Sequence, residues 1–119
     1  MMHAVIHCIE SNDYAEWREF AEYQSPDPYD DFGWFHVTVG ATDIDGGNDF
    51  QVCVSTRRAV WRVKRSGKTP GILVDYFDAA NVRKAICDRI EAIEGCSWET
   101  IVEQLRTFMK WEYEGMTGK

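Results

Sequence analysis

Two alternating runs joined by a Gly- and Asp-rich segment constrain this chain more than anything else in it. Residues 34–41 set Phe35, Val37 and Val39 on one side of an extended backbone, and residues 50–54 set Phe50, Val52 and Val54 the same way. A period of two marks a strand with one buried face. Between them, Asp43-Ile44-Asp45-Gly46-Gly47-Asn48-Asp49 has the Gly, Asn and Asp content of a tight hairpin connection. The two runs therefore pair antiparallel, and the rest of the chain has to cover the apolar face they share.

Residues 3–9 read as another strand, with Ala4, Ile6 and Cys8 on one face and His3, Val5 and His7 on the other. Over 13–23, Tyr14, Trp17, Phe20 and Ala21 recur at helical spacing behind Asn12 or Asp13 as a cap. Gln24 to Asp31 is a loop, because its prolines forbid regular pairing. Thr56 to Lys64, with Ala59, Val60 and Val63, suits a short helix, and Ile72, Val74 and Tyr76 suit a fourth strand. Asp78 is placed to cap a helix over 79–94, striped by Val82, Ile86, Ile90 and Ile93, with Gly95 as a left-handed terminator. Ser97 caps a last helix striped by Trp98, Ile101, Val102, Leu105 and Phe108 or Met109, and residues 115–119 read as a frayed tail.

This order predicts an α+β fold: a mainly antiparallel sheet of about four strands, helices packed on one face, and two C-terminal helices. With 119 residues the chain forms one domain, 1–119, since a second core would lack surface to bury. Five Trp and six Phe supply that one core amply. No apolar run reaches the roughly 20 residues of a membrane span, and the N-terminus lacks the marks of a secretory signal. Cys8, Cys53, Cys87 and Cys96 show no Cys-x-x-Cys spacing, which points to buried thiols in a reducing cytoplasm and away from zinc or a disulfide framework.

Charge is unevenly placed. Residues 1–51 hold eleven acids against Arg18 alone, a balance of −10, whereas residues 52–119 balance at +3. The acidic front half repels nucleic acid and attracts a basic partner. Its loop and hairpin acids, Asp27, Asp30, Asp31, Asp43, Asp45 and Asp49, occur almost without bases, and Tyr23 and Tyr29 are interleaved with them. Tyr in an acidic rim is a protein-recognition combination, so Asp27, Tyr29, Asp30, Asp31, Asp43, Asp45 and Asp49 form the candidate partner site. Reversing Asp30 and Asp31 to Lys is expected to slow association while leaving folding intact. The six bases within 57–68 read as a solvated helix face, partly neutralised by the acidic half.

Catalytic and metal chemistry find little footing. Asp43-x-Asp45 opens like a calcium loop, but its twelfth position is Val54 where a bidentate Glu is required. His3 and His7 lie about 13 Å apart along a strand, too far to share an ion. His36 stands alone, no Ser sits in a nucleophile elbow, and Gly67-Lys68-Thr69 lacks the leading Gly of a phosphate loop, having Arg62 there. No enzyme activity, cofactor or metal is expected. The competing classes are a small carboxylate-based metal-dependent enzyme and a homo-oligomeric structural protein.

The stretch Phe32-Gly-Trp-Phe-His-Val-Thr-Val-Gly40, followed by Phe50-Gln-Val-Cys-Val54, resembles the N-terminal half of the immunity protein 8 family. Cys87, Gly95-Cys-Ser-Trp98-Glu99, Glu103-Gln-Leu105 and Trp111-Glu-Tyr-Glu114 resemble its C-terminal pattern. The resemblance covers roughly residues 30–114. It departs at Ser55-Thr-Arg-Arg-Ala-Val60, where similar proteins carry a Pro-Lys-Trp-Leu type of sequence. It implies a non-enzymatic bacterial antidote, held in the cytoplasm, that binds the C-terminal domain of a polymorphic or contact-dependent growth inhibition toxin. Such toxins are often basic nucleases, for which an acidic antidote is the matching partner. It also implies that Trp98 and Trp111 are framework residues.

Overall fold

In the computed structural model, residues 1–14 and 17–111 are described. The middle of the first expected helix, the tail at 115–119 and the Glu112–Glu114 part of the last motif lie outside them.

The hairpin forms as its alternation dictates. Strands β2 (Phe32–Ala41) and β3 (Asn48–Thr56) pair antiparallel, with Phe35 opposite Val52, Val37 opposite Phe50 and Gly33 opposite Val54. All six apolar residues of that face are buried in the main core. In the connection Asp43 takes a left-handed φ of 72° and Gly46 one of 76°. Asp tolerates this conformation because its short side chain bonds locally. Asp49 belongs to β3 and not to the connection.

Among the described residues the sheet has six strands, not about four. Its order is β4-β3-β2-β1-β5, with β1 at Met2–Ser11, β4 at Ile72–Val74 and β5 at Glu94–Gly95. The sixth, β6 (Lys110–Trp111), pairs with the first half of β3 and places Trp111 opposite Phe50. β4 pairs parallel with the second half, reached through helix α2 (Val60–Arg65). Two-residue strands carry no periodicity, which is why β5 and β6 escape a reading by pattern.

β1 departs from simple alternation. Ile6 pairs with Val39 and Cys8 with Thr38, so His7 is an additional residue. This bulge reverses the facing of everything after it. Cys8, expected beside Ala4 and Ile6 in the core, is exposed, and Ile9 and Ser11 are buried instead.

Helices α1 (Trp17–Ala21), α3 (Ala79–Glu91) and α4 (Trp98–Leu105) serve the main core. The caps of α3 and α4 form as expected: Asp78 accepts from the Asn81 N–H and Ser97 from the Thr100 N–H. Gly95 is not a left-handed terminator. It lies in β5, and a Cβ there would come within 2.9 Å of Thr100 Cγ2, so the residue permits β5 and α4 to touch. Trp98 is half-buried against the core, and so is Trp111.

Not every helix shares that face. Cys53 points away from Val52 and Val54, and Ala59 and Val63 are buried apart from the main core. The Arg62 guanidinium lies 5.3 Å from the ring centre of the outward-facing Phe32, which sets α2 on the opposite side of the sheet.

Phe20, only 3% exposed, joins α1 to the sheet. Its ring meets those of Tyr14, Trp17, Tyr23, Phe35 and Phe77 at centroid separations of 5.1–6.1 Å. Phe35→Ala is expected to cost about 3–5 kcal/mol in denaturant unfolding, as core Phe truncations do. Cys8→Ser, outside the core because of the bulge, should change stability by less than about 0.5 kcal/mol.

Candidate partner-binding surface

The expected acids do not form one patch. Asp27, Tyr29, Asp30 and Asp31 precede β2, while Asp43 and Asp45 follow it, so the groups stand at opposite ends of a ten-residue strand, roughly 30 Å apart.

At the first end the acids are engaged by the protein itself. Asp31 is the hub: its Oδ2 accepts from the Tyr23 hydroxyl at 2.5 Å and the Ser25 hydroxyl at 2.6 Å, and its Oδ1 accepts from the Phe32 N–H. The Asp31 N–H in turn donates to Thr56 Oγ1. Burial, and then the bond to Asp31, raise the Tyr23 phenol above its ordinary pKa. Asp30 pairs with Arg62 at 2.9 Å, and Asp27 faces Arg58 at 3.9 Å while accepting the Tyr29 N–H. The basic stretch after β3 thus neutralises part of the acidic loop, as expected from the sequence. Tyr29 is 57% exposed, and its ring stands edge-to-face on Tyr76.

Asp49 is also satisfied internally. It lies on the outer face of the sheet, where His36 Nε2 approaches at 2.9 Å and the Thr38 hydroxyl donates at 2.7 Å. The His36 bond first, then the Thr38 bond, hold its carboxyl below the ordinary range.

The far end differs. Asp43 and Asp45 are exposed. The neighbouring Thr42 exchanges hydrogen bonds with His3, and His3 pairs with Glu94 of β5 at register and at 3.6 Å. Gln104 of α4 donates to the Glu94 carbonyl. Between Ile90 and Leu105 the chain carries Glu91, Glu94, Glu99 and Glu103 and no Lys or Arg. Arg83, Lys84 and Arg89 before this stretch and Arg106 and Lys110 after it hide these acids in any charge sum over the C-terminal half. Among the described residues, no three His, Cys, Asp or Glu are grouped to hold a metal ion, and no helix is long and apolar enough to cross a membrane.

A hairpin-centred sheet closed by a Ser-capped helix that Trp98 opens is the framework of the motifs quoted above. The family model for immunity protein 8 matches residues 4–116. The chain belongs to the immunity protein 8 family. No curated protein and no solved structure matches it. The match includes β1 and α1, where the quoted motifs gave little likeness. Membership in the immunity protein 8 family implies a toxin-neutralising role and a cognate toxin as partner.

Two outcomes follow from the internal bonds. Asp31→Ala should cost about 1–3 kcal/mol in chemical denaturation by stranding the Tyr23 and Ser25 hydroxyls; its reversal to Lys would disturb the fold as well as the charge, contrary to the neutral folding expected from sequence. For Asp49 the folded pKa lies below the unfolded one, so its contribution is present above about pH 4 and is lost as pH falls through the depressed folded value. Asp49→Asn should therefore flatten the acid limb of a stability-versus-pH curve and leave the neutral region with little pH dependence of its own.

Proposed function

We propose that this chain is a non-enzymatic antidote of the bacterial cytoplasm. It binds the C-terminal domain of a contact-dependent growth inhibition toxin, or a related polymorphic toxin, that is a basic nuclease. The observation that carries the reading is the family match over residues 4–116. The charge distribution supports the nature of the partner: a chain of net charge −7 attracts a basic domain and repels nucleic acid.

In this reading Asp43 and Asp45 make the leading contact. They are exposed, and Glu94 adds to the same end of the sheet. Asp27 and Tyr29 offer a second contact, with Asp30 weakened as an attractor by Arg62. Asp31 and Asp49 hold the loop and strand that carry the others. The acidic end occupies the toxin's phosphate-binding cleft in place of substrate.

The test begins with the C-terminal domain of the toxin encoded beside this gene. The two products should copurify. Asp43→Asn with Asp45→Lys, which keeps a residue suited to the left-handed backbone at 43, should slow association several-fold or more at low salt and weaken its salt dependence, with the melting temperature unchanged. An unaltered association rate would remove the acidic hairpin from the interface; no complex at all with the wild-type chain would remove the reading.

A further inference from the structure

A cavity of about 210 Å³ opens where α1 leans on the start of β2. Its walls are largely aromatic: Tyr14, Phe20, Tyr23 and Phe77 line it, and the acids Asp13 and Asp31 are among its lining residues, the latter with both oxygens already accepting internal hydrogen bonds. Among the described residues, no Lys, Arg or His lines it. It is more enclosed than the groove beside Trp34 on the other face of the sheet.

The lining defines what would fit. Aromatic faces attract a cation through their quadrupole, and a carboxylate at the mouth adds a charge-assisted hydrogen bond. The same aromatic cluster already holds one cation elsewhere: the Arg83 guanidinium lies 5.3 Å from the Trp17 ring centre. The walls are also fixed in place. Tyr23 is tethered by its hydroxyl to Asp31, and Phe20 is packed among five rings. The Asp13 N–H is held by Ser11 Oγ, and among the described residues no base pairs with the Asp13 carboxylate. The volume is below the roughly 300–1,000 Å³ of a small-molecule site and suits a single long side chain.

We propose that this pocket receives one basic side chain, Arg or Lys, of the cognate toxin, anchoring it between the aromatic walls and the Asp13 and Asp31 carboxylates. The proposal rests on the toxin-binding reading but assigns the anchor to a place the acid pattern does not mark. An anchor acts after encounter, so it governs dissociation, whereas the exposed acids of the hairpin govern approach.

The experiment compares dissociation of the adjacent gene's toxin domain from the wild-type chain, Asp13→Asn, Tyr14→Leu and Tyr14→Phe, with thermal unfolding of each variant alongside. Asp13→Asn and Tyr14→Leu should each speed dissociation about tenfold with little change in association rate, while Tyr14→Phe, which keeps the ring, stays close to wild type. Dissociation unchanged in both folded variants would overturn the pocket and leave toxin binding standing. Should Tyr14→Leu not fold, Asp13→Asn decides alone. A wild-type chain that does not bind the toxin domain overturns the toxin reading, and the pocket with it.

Discussion

β2 and β3 pair in unbroken register from Phe32 opposite Ser55 to Val39 opposite Asn48, and that register decides what every other element can do. It sends Phe35, Val37, Val39, Phe50, Val52 and Val54 to one side, where α1, α3 and α4 must cover them. It sends Phe32, Trp34, His36, Thr38, Gln51 and Cys53 to the other, where α2 and the segment before β6 give partial cover. A slip of one residue would exchange the two sets and bury His36 and Asp49 in place of Val37 and Phe50. The free energy lost with the six apolar side chains makes the register well determined, and the two ends of the hairpin become fixed platforms about a strand length apart.

Those platforms differ in electrostatic character. At the β2 start, Arg58 and Arg62 come back over the sheet through the β3–α2 connection and meet Asp27 and Asp30. The exposed Asp27–Arg58 pair contributes little to stability, whereas the half-buried Asp30–Arg62 pair also bonds the Asp30 carbonyl; both reduce the local field. At the hairpin end no Lys or Arg among the described residues pairs with Asp43 or Asp45, and β5 brings Glu94 beside the β1 start next to the hairpin. The fold thus concentrates an imbalance that the linear −10 and +3 halves only outline.

Where the sequence was legible, a single local rule decided the outcome. The hairpin faces, the Asp78 and Ser97 caps and the apolar stripe of α3 each depend on residues within one element. Where it was not, the deciding contact was remote. The bulge at His7 depends on how β1 meets β2, and it moved Cys8 out of the core without any mark in the alternation of 3–9. Gly95 stands just beyond a helix, as a terminator would, yet its lack of a side chain serves Thr100 of the following helix. Asp31 looked like one acid among several in a loop; its neighbours Tyr23, Ser25 and Thr56 make it a structural hub. The aromatic pocket combines Tyr14, Tyr23 and Phe77 from three separate segments, which no spacing rule joins.

The division between engaged and disengaged acids bears on how such a protein can be specific. Asp31 and Asp49 are tied to hydroxyl and imidazole partners, so their replacement leaves polar groups unsatisfied in partly buried surroundings. Asp43 and Asp45 lie on a connection whose own conformation is carried by Gly46 and by the left-handed Asp43 backbone. Asn would preserve that backbone at 43 while removing its charge, and position 45 carries no left-handed requirement. Charge at the hairpin end can therefore change at small cost to the fold, which is what a toxin-neutralising protein needs if its partner's surface changes. The enclosed pocket beside α1 has less freedom, because Phe20 and Tyr23 there also hold the core. An interface built from both would take its selectivity from the adaptable end and its residence time from the fixed one.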